Sequence, residues 1–342
     1  MKAAIVEKPG TLVVRDVSEP FPGDYDALCE VLYGSTCTGT DLHIIEGAFA
    51  SPVKYPTILG HESVGRVVKL GSKVRNYKIG DVVVRVGVLS PAEPGLSVTW
   101  GGFAEMGIAK DHWAMKEDGL PPEKWSFFRL NQTLPADLDP ADATLVITWR
   151  ENFSYITRMG VRSGARVLII GSGGNGLSYV NHAANLQAKA IVLVGSPARL
   201  DLARKLGATA CFPYDAPDIA ALIRKSHPDG FDFIIDAVGK RGLLDKALPL
   251  LARGGTAGIY GVDDYGRITI NPLLPGKTFT FYNGGYDAAD AHDPVVRFIR
   301  EGKLVAKNYY DADRIFPLEQ IAAAFDALRK REMVKAVIRM RA

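Results

Sequence analysis

The sequence has few cysteines, little net charge and no long apolar run. Its 342 residues include only three cysteines, Cys29, Cys37 and Cys211, and no Cys-x-x-C pair, which excludes a disulfide framework and a four-cysteine structural zinc site. No stretch of about 18 apolar residues occurs, so no membrane-spanning helix is predicted. Because the chain opens directly on a strand pattern at Met1, we expect no signal peptide and a cytoplasmic protein.

The near balance of charge limits the classes of partner. The chain has 41 basic and 38 acidic residues, a net charge of +3, and its Lys and Arg residues are spread along the sequence. Nothing in this pattern favours nucleic acid or a membrane surface, so a small-molecule substrate is predicted. A hydrophobic content of 47% with 23% charged residues is typical of a soluble globular protein, and the length suggests two domains.

A glycine-rich motif near the middle of the chain follows an apolar strand. Residues 165–176 read Ala-Arg-Val-Leu-Ile-Ile-Gly-Ser-Gly-Gly-Asn-Gly, and a helix-compatible stretch then leads to a second apolar strand at 190–194. Gly171 allows a tight turn, Gly173 lets backbone N–H groups reach a pyrophosphate, and Gly176 lets the helix pack on the strand. An ordinary glycine-rich crossover is the alternative, but the order strand, glycines, helix, strand predicts a dinucleotide site.

The end of the second strand indicates which dinucleotide binds. NAD enzymes usually carry an Asp or Glu there, which accepts hydrogen bonds from the ribose, whereas this strand ends in Gly195-Ser-Pro-Ala-Arg199 with no acid. Ser196 can donate to a 2′-phosphate through its hydroxyl and its N–H, and Arg199 can add charge, pair on the surface or lie on the adenine. We therefore predict NADP. The predicted cofactor contacts are Gly171, Gly173, Gly174, Asn175, Gly176, Gly195, Ser196, Arg199, Val238, Gly261 and Asn283.

Strand and helix patterns divide the chain into a β-rich part and an alternating part. Residues 1–141 contain short alternating runs separated by Gly, Pro and Asp, whereas 142–285 alternate between strands and helices, which predicts a doubly wound parallel sheet. The tail 286–342 is expected to return to the first domain. The aromatic segment 109–135 is predicted to be loop-like, an insertion near the mouth of a cleft or an interface arm. Within the alternating part, strands are predicted at 167–170, 191–194, 231–236 and 258–260, and helices near 176–188, 197–206, 217–226 and 241–252.

Two short motifs in the β-rich part concentrate side chains that bind metals or move protons. Cys37-Thr-Gly-Thr-Asp-Leu-His43 supplies a thiol, hydroxyls, a carboxylate and an imidazole, and Gly60-His-Glu-Ser-Val-Gly65 supplies a second imidazole and carboxylate. Taken singly, each of these residues could serve a turn or a surface face. Together they indicate a metal or proton-transfer site.

These motifs, together with the glycine-rich loop, resemble the medium-chain dehydrogenase/reductase superfamily, specifically its zinc-type alcohol and polyol dehydrogenase branch. The resemblance implies an α/β protein with a GroES-like β-rich catalytic domain at 1–141 and 286–342, a Rossmann NADP-binding domain at 142–285, and a homodimer or homotetramer. The matching features are Gly39-Thr-Asp-x-His43, Gly60-His-Glu62, Gly80-Asp-Val-Val83, Gly101-Gly-Phe-Ala-Glu105, the nucleotide motif, Leu206-Gly-Ala208, Asp232-Phe-Ile-Ile-Asp236, Gly254-Gly255 and Phe316-Pro-Leu-Glu319.

The resemblance also implies roles for individual residues. Thr40 would hydrogen-bond the reacting oxygen, and His43 would pass the proton onward through the cofactor ribose. His61 would be a zinc ligand, and the zinc would polarise the substrate oxygen. Asp41 and Glu62 would be carboxylates that orient the groups of the metal site.

The zinc ligands depart from the family pattern in two places. The family's Cys lies three residues before the Asp, where this chain has Thr38, and Cys37 lies one residue earlier. Counted from the upstream strand Val31-Leu-Tyr33, Cys37 instead takes the ligand position with one residue inserted after it, and a one-residue bulge can aim its sulfur inward. The third ligand is expected around 146–148, which reads Val-Ile-Thr; the nearest candidate is Glu151, one helical turn further. A zinc held by Cys37, His61 and Glu151 and a vacant site both stay open.

The sequence predicts an NADP(H)-dependent oxidoreductase that transfers hydride between nicotinamide and an alcohol or carbonyl substrate. The retained pair Thr40 and His43 favours this function, since a proton relay serves an alcohol oxygen. A zinc-free reductase of an activated C=C, imine or carbonyl is the alternative, with Thr40 or His43 as general acid. A non-catalytic NADP-binding protein is the third possibility.

Overall fold

The computed structural model describes residues 1–91 and 93–341, and its chain falls into two units. The first unit comprises Met1–Thr148 and the chain from Val305 onward, and the second comprises Trp149–Leu304. The strands are β1 (Lys2–Lys8), β2 (Thr11–Asp16), β3 (Asp26–Ser35), β4 (Thr57–Ile58), β5 (Glu62–Leu70), β6 (Val82–Val84), β7 (Ser97–Val98), β8 (Met106–Lys110), β9 (Arg166–Ile170), β10 (Ala190–Gly195), β11 (Ala210–Pro213), β12 (Phe231–Asp236), β13 (Leu251–Ile259), β14 (Thr280–Tyr282), β15 (Phe316–Pro317) and β16 (Val337–Arg339).

The helices of the alternating part are shorter than the sequence predicted. They are α1 (Asp41–Glu46), α2 (His112–Glu117), α3 (Pro122–Trp125), α4 (Pro140–Ala143), α5 (Leu145–Arg158), α6 (Gly174–Asn185), α7 (Leu200–Lys205), α8 (Ile219–Ser226), α9 (Leu243–Ala247), α10 (His292–Arg300) and α11 (Ile321–Arg329). Single 3₁₀ turns cover Ser126–Leu130, Pro197–Arg199, Leu248–Leu250, Ala306–Asn308 and Leu318–Gln320. Among the described residues, no helix combines the length and the apolar character that crossing a membrane requires.

The first unit is built mainly from antiparallel strands. One sheet has the order β2-β1-β4-β7, and a second has the order β15-β16-β3-β5-β6 with β8 paired to β3. Strands β3 and β5 pair along most of their length, and at one end Ser35 lies opposite Glu62. The register shifts between Val31 and Tyr33, which is a local irregularity close to that end. The pairing therefore places the buried start of β5 beside the loop that follows β3.

The segment 109–135 is not loop-like, so that prediction is wrong. It contains α2, α3 and a 3₁₀ turn. The side chain of Asp111 caps α2 by accepting a hydrogen bond from the N–H of Ala114 at 3.0 Å, and Trp113 packs edge-on against Tyr77. These helices have no clear 3.6-residue apolar period, because short capped turns are held by the cap and by aromatic contacts rather than by an apolar stripe.

The second unit contains a six-stranded parallel sheet of order β11-β10-β9-β12-β13-β14, which confirms the predicted doubly wound fold. From β9 the chain adds β10 and β11 on one side of the sheet, and from β12 it adds β13 and β14 on the other side. The carboxyl ends of these two strands form the switch point at which such sheets bind ligands. Apolar side chains from the central strands, among them Leu168 and Ile234, are buried in its core.

Several boundaries in the second unit differ from the predicted ones. The helix predicted near 241–252 ends at Ala247, because Pro249 has no N–H to continue it, and β13 begins at Leu251 rather than at 258. The segment 286–304, expected in the catalytic domain, lies in the second unit. There the N–H of Asp287 donates to Ser154 Oγ at 2.8 Å.

Helix α6, which follows the glycine motif, contains a fully buried histidine whose protonation should weaken the fold in acid. Burial lowers the pKa of His182 from 6.5 to about 3. In the unfolded chain His182 binds a proton below about pH 6.5, whereas in the native chain it stays neutral. The free energy of unfolding therefore decreases as the pH falls below about 6.5.

We therefore expect His182→Leu to reduce the acid sensitivity of the fold. The free energy of unfolding of the variant minus that of wild type should be about 2 kcal/mol higher at pH 5 than at pH 8. Urea unfolding at the two pH values measures this gain. An unchanged difference between the proteins at the two pH values would show that His182 does not couple folding to protons.

Candidate active site

The loop between β3 and α1 brings Cys37 and Asp41 together. The N–H of Asp41 donates to the carbonyl of Cys37 at 3.0 Å, and the N–H of Cys37 donates to Asp41 Oδ2 at 2.9 Å. The family has one residue fewer between the Cys and the Asp than this chain has between Cys37 and Asp41. The closed turn accommodates this extra residue. Cys37 thereby reaches the site even though Thr38 occupies the position predicted for the ligand.

His61 lies between Asp41 and Glu62 and is buried. Its Nδ1 is 3.1 Å from Asp41 Oδ1, and its Nε2 is 3.9 Å from Glu62 Oε1. Burial acts to lower the pKa of His61, but the Asp41 carboxylate and Cys37 outweigh it and raise that pKa well above its usual range. The side chain is therefore oriented by Asp41, with its Nε2 directed to the Glu62 side.

Glu62 is the centre of a buried hydrogen-bond network. Ser35 Oγ donates to Glu62 Oε2 at 2.5 Å, Thr148 Oγ1 donates to Oε1 at 2.7 Å, and the ammonium of Lys335 forms an ion pair with Oε2. Lys335 Nζ also donates to the carbonyl of Thr36 at 3.1 Å. Burial acts to lower the pKa of Lys335, but Glu62 raises it, so the ammonium stays charged.

Neither Lys335 nor Thr148 was predicted as a site residue. Lys335 lies in the C-terminal tail, where one Lys among many basic residues gives no signal. Thr148 lies in the segment expected to supply a third metal ligand, and its hydroxyl binds Glu62 instead.

Cys37, His61 and Glu62 together offer a metal-binding set. Within the part of the chain that the structure describes, these are the grouped Cys, His and acidic residues whose donor atoms all lie within 4.8 Å of one another. Donor atoms bound tetrahedrally at about 2.0 to 2.3 Å from a zinc ion lie about 3.3 to 3.8 Å apart, so the three residues fit zinc with small adjustments. Glu62, assigned from the sequence only as an orienting carboxylate, takes the third place in this set.

Glu151 is not in this group. It lies in the second unit, where its Oε2 accepts a hydrogen bond from the Tyr260 hydroxyl at 3.2 Å.

The two residues of the predicted relay lie at the start of α1. Thr40 directly precedes the helix and accepts a hydrogen bond from the N–H of Ile44 through its carbonyl. His43 contacts the carbonyl of Gly39 through Nδ1. Since a carbonyl only accepts, this Nδ1 carries the hydrogen, and Nε2 is the nitrogen that can accept a proton.

The glycine motif has the shape that a pyrophosphate requires. Gly171 has a φ of +105°, and a Cβ on Gly176 would lie 1.9 Å from the carbonyl oxygen of Gly171. A Cβ on Gly173 would meet no atom within 4 Å, so open space lies in front of the loop. Gly174 begins α6, whose N-terminus lies at this opening and favours negative charge.

The predicted 2′-phosphate residues are organised around Ser172. Arg199 Nη1 donates to the carbonyl of Ser172 at 3.0 Å, so its guanidinium is held beside the glycine loop. The N–H of Ser196 donates to Ser172 Oγ at 2.9 Å, which leaves the Ser196 hydroxyl as the donor that a phosphate can use. Gly195 approaches Ser172 closely, since a Cβ there would lie 2.5 Å from Ser172 Cβ.

Val238, Gly261 and Asn283 lie at the other carboxyl ends of the sheet, and Asn175 lies in the first turn of α6. Asp236 Oδ1 accepts the N–H groups of Val238 and Gly239 at 2.9 Å each, which fixes the turn after β12. A Cβ on Gly261 would lie 2.0 Å from the carbonyl carbon of Val238, so these two turns are in close contact. Asn175 Oδ1 accepts a hydrogen bond from Asn152 Nδ2 at 3.2 Å.

Asn283 is exposed, immediately after β14.

Comparisons with known proteins agree with this arrangement. The family model for the GroES-like domain of alcohol dehydrogenases matches residues 23–121, and that for zinc-binding dehydrogenases matches residues 174–284. D-arabinitol dehydrogenase 1 of Uromyces fabae is 26% identical over 346 residues, which cover 99% of this chain and 97% of that protein. An NADP-dependent isopropanol dehydrogenase of Thermoanaerobacter brockii is 31% identical over 268 residues, which cover 75% of this chain and 73% of that protein.

A solved structure extends the agreement to the fold. The alcohol dehydrogenase TADH of Thermus sp. ATN1 has a TM-score of 0.82 with this chain at 23% identity, over 99% of each chain. The GroES-like sheets, the parallel sheet with its glycine motif and the Cys37, His61 and Glu62 group occur in one chain. The chain therefore belongs to the zinc-type alcohol and polyol dehydrogenase branch of the medium-chain dehydrogenase/reductase superfamily, and it is a nicotinamide-dependent oxidoreductase of alcohols.

Proposed function

We propose that the protein is an NADP(H)-dependent dehydrogenase of small alcohols or polyols, with a zinc ion held by Cys37, His61 and Glu62. The observation that carries the proposal is the convergence of these three donor side chains within 4.8 Å. When bound, zinc polarises an alcohol or carbonyl oxygen. The relatives named for D-arabinitol and isopropanol support this class of substrate.

The chain's own residues provide the proton path. Thr40 supplies a hydroxyl at the start of α1 for the substrate oxygen, and His43 takes up the proton through Nε2, since its Nδ1 donates to Gly39. Asp41 fixes the ring of His61 and also the backbone of Cys37. The geometry of the site is therefore set by hydrogen bonds within the chain.

The proposal of NADP rather than NAD depends on charge at the end of β10. Ser196 and Arg199 supply a hydroxyl and a guanidinium, and no carboxylate is present there to repel a 2′-phosphate. Similarity to the NADP-dependent isopropanol dehydrogenase supports the same choice.

A zinc-free reductase is the second candidate, and a specific contact favours it. The Lys335 ammonium already neutralises Glu62, and Thr148 stands where a third metal ligand was expected. In that case Thr40 or His43 donates a proton to the enolate or alkoxide that hydride addition leaves. We also propose that the chain forms a homodimer or homotetramer, as the family resemblance implies.

The first test concerns the metal. We expect about one zinc per chain in wild type, and losses of zinc and of activity together in His61→Ala and Glu62→Gln, because each variant removes one of three ligands. Glu151→Gln is the matched control and should keep its zinc. Elemental analysis and alcohol oxidation assays give both readouts. Full activity in a zinc-free protein would favour the reductase instead.

The second test concerns the cofactor. We expect Ser196→Asp to lower the ratio of kcat/KM for NADP+ over NAD+ by at least about tenfold, because the new carboxylate repels a 2′-phosphate and can accept from a ribose hydroxyl. Arg199→Ser should shift the ratio in the same direction. Arg204→Ser, which removes an exposed arginine from the next helix, is the control. Equal changes for both cofactors would contradict this assignment.

A further inference from the structure

Five tyrosines form an aromatic cluster in the second unit. The Tyr155 ring lies 5.1 Å from that of Tyr282, 5.2 Å from that of Tyr260 and 5.8 Å from that of Tyr179, measured between ring centroids. Tyr286 lies 5.8 Å from Tyr260. Tyr155 meets both Tyr260 and Tyr282 edge to face, an arrangement that aromatic quadrupoles favour.

A nearly buried carboxylate contacts this cluster. Glu151 has a relative exposure of 9%, and its Oε2 accepts the Tyr260 hydroxyl at 3.2 Å. Burial is the largest cause that raises the pKa of Tyr179 well above its usual range, and Glu151 adds to it. This ring therefore stays neutral beside the carboxylate. Glu151 thus places an acidic group beside uncharged aromatic rings that are rich in π electrons.

The cluster lies at the carboxyl edge of the parallel sheet. Tyr260 directly follows β13, and its N–H donates to the carbonyl of Asp236 at the end of β12. Tyr282 is the last residue of β14. Asp236, the last residue of β12, is buried and provides a second carboxyl group at this edge of the sheet.

The position of the cluster relative to the glycine motif indicates which half of the cofactor it faces. The motif follows β9, and the proposed phosphate residues Ser196 and Arg199 follow β10, so the adenosine half lies on the β10 side of the switch point. A dinucleotide that crosses the switch point extends its nicotinamide half toward β12 and β13. This step rests on the proposed function, because it takes the cofactor to be NADP(H).

We propose that Glu151, held by Tyr260 within the tyrosine cluster, selects the oxidised nicotinamide ring, which is positively charged, over the neutral reduced ring. A carboxylate attracts a cation more strongly in a poorly solvated site than in bulk water. The faces of tyrosine rings attract cations as well. The reduced ring has the same shape and no positive charge. The two forms of the cofactor should therefore differ in affinity through Glu151.

The test compares Glu151→Gln with wild type in direct binding of NADP+ and NADPH. We expect the Kd of NADP+ to rise about tenfold and the Kd of NADPH to change less than about twofold, since the substitution keeps the shape and removes the charge. Calorimetry measures NADP+, and NADPH fluorescence measures the reduced form. Binding of 2′,5′-ADP should be unchanged, because it lacks nicotinamide.

Two further variants complete the design. Glu301→Gln removes the same charge at an exposed site, where Glu301 pairs with Lys303, and should leave both Kd values unchanged. Tyr260→Phe keeps Glu151 and removes its hydrogen-bond donor, so it should weaken NADP+ binding in the same direction by a smaller factor. This variant tests the inference even if Glu151→Gln fails to fold.

The possible failures are distinguishable. Equal changes in the two Kd values for Glu151→Gln, or none, would overturn the inference while the proposed dehydrogenase stands. Loss of zinc in Glu151→Gln would overturn it as well, because Glu151 would then be a metal ligand. If wild type binds neither form of the cofactor, the proposed function fails first.

Discussion

The buried ion pair between Glu62 and Lys335 is the interaction on which the site in the first unit depends. A carboxylate placed at the start of β5 without a partner would cost several kcal/mol of folding free energy. Here three donors, from Ser35, Thr148 and Lys335, satisfy it. They come from β3, from α5 and from the C-terminal tail, so one carboxylate joins three distant parts of the sequence. His61 and Cys37 are then positioned around a group that cannot move freely.

The proposed dinucleotide site in the second unit depends first on backbone geometry rather than on side chains. Gly171, Gly173 and Gly176 shape the loop before a helix N-terminus, and among the described residues no atom lies within 4 Å of a Cβ placed on Gly173. Side chains become important only at the two ends of the sheet edge, where Ser196 and Arg199 follow β10 and the tyrosine cluster follows β13 and β14. In the proposed site, the pyrophosphate is thus bound by backbone N–H groups, whereas side chains particular to this chain serve the 2′-phosphate and the nicotinamide ring.

The sequence predicted the fold and indicated candidate site residues, but not how those residues connect. The glycine motif and its flanking strands specify the parallel sheet, because their spacing follows directly from backbone geometry. The position of Cys37 was ambiguous because a one-residue insertion changes the direction of a side chain, and only the closed turn to Asp41 resolves it. Lys335 could not be found from sequence, since a buried lysine and an exposed one look alike when the partner lies 273 residues away.

That separation has a consequence for how the protein is made. During synthesis, Glu62 leaves the ribosome long before Lys335 does, so the nascent N-terminal strands contain an acidic group without its counter-charge. Domains tend to fold as units from the N-terminus, but here the first unit includes residues from Val305 onward, which follow the whole of the second unit. The first unit can therefore complete its packing only after Lys335 has been synthesised, and Lys335 acts as the closing contact of that unit.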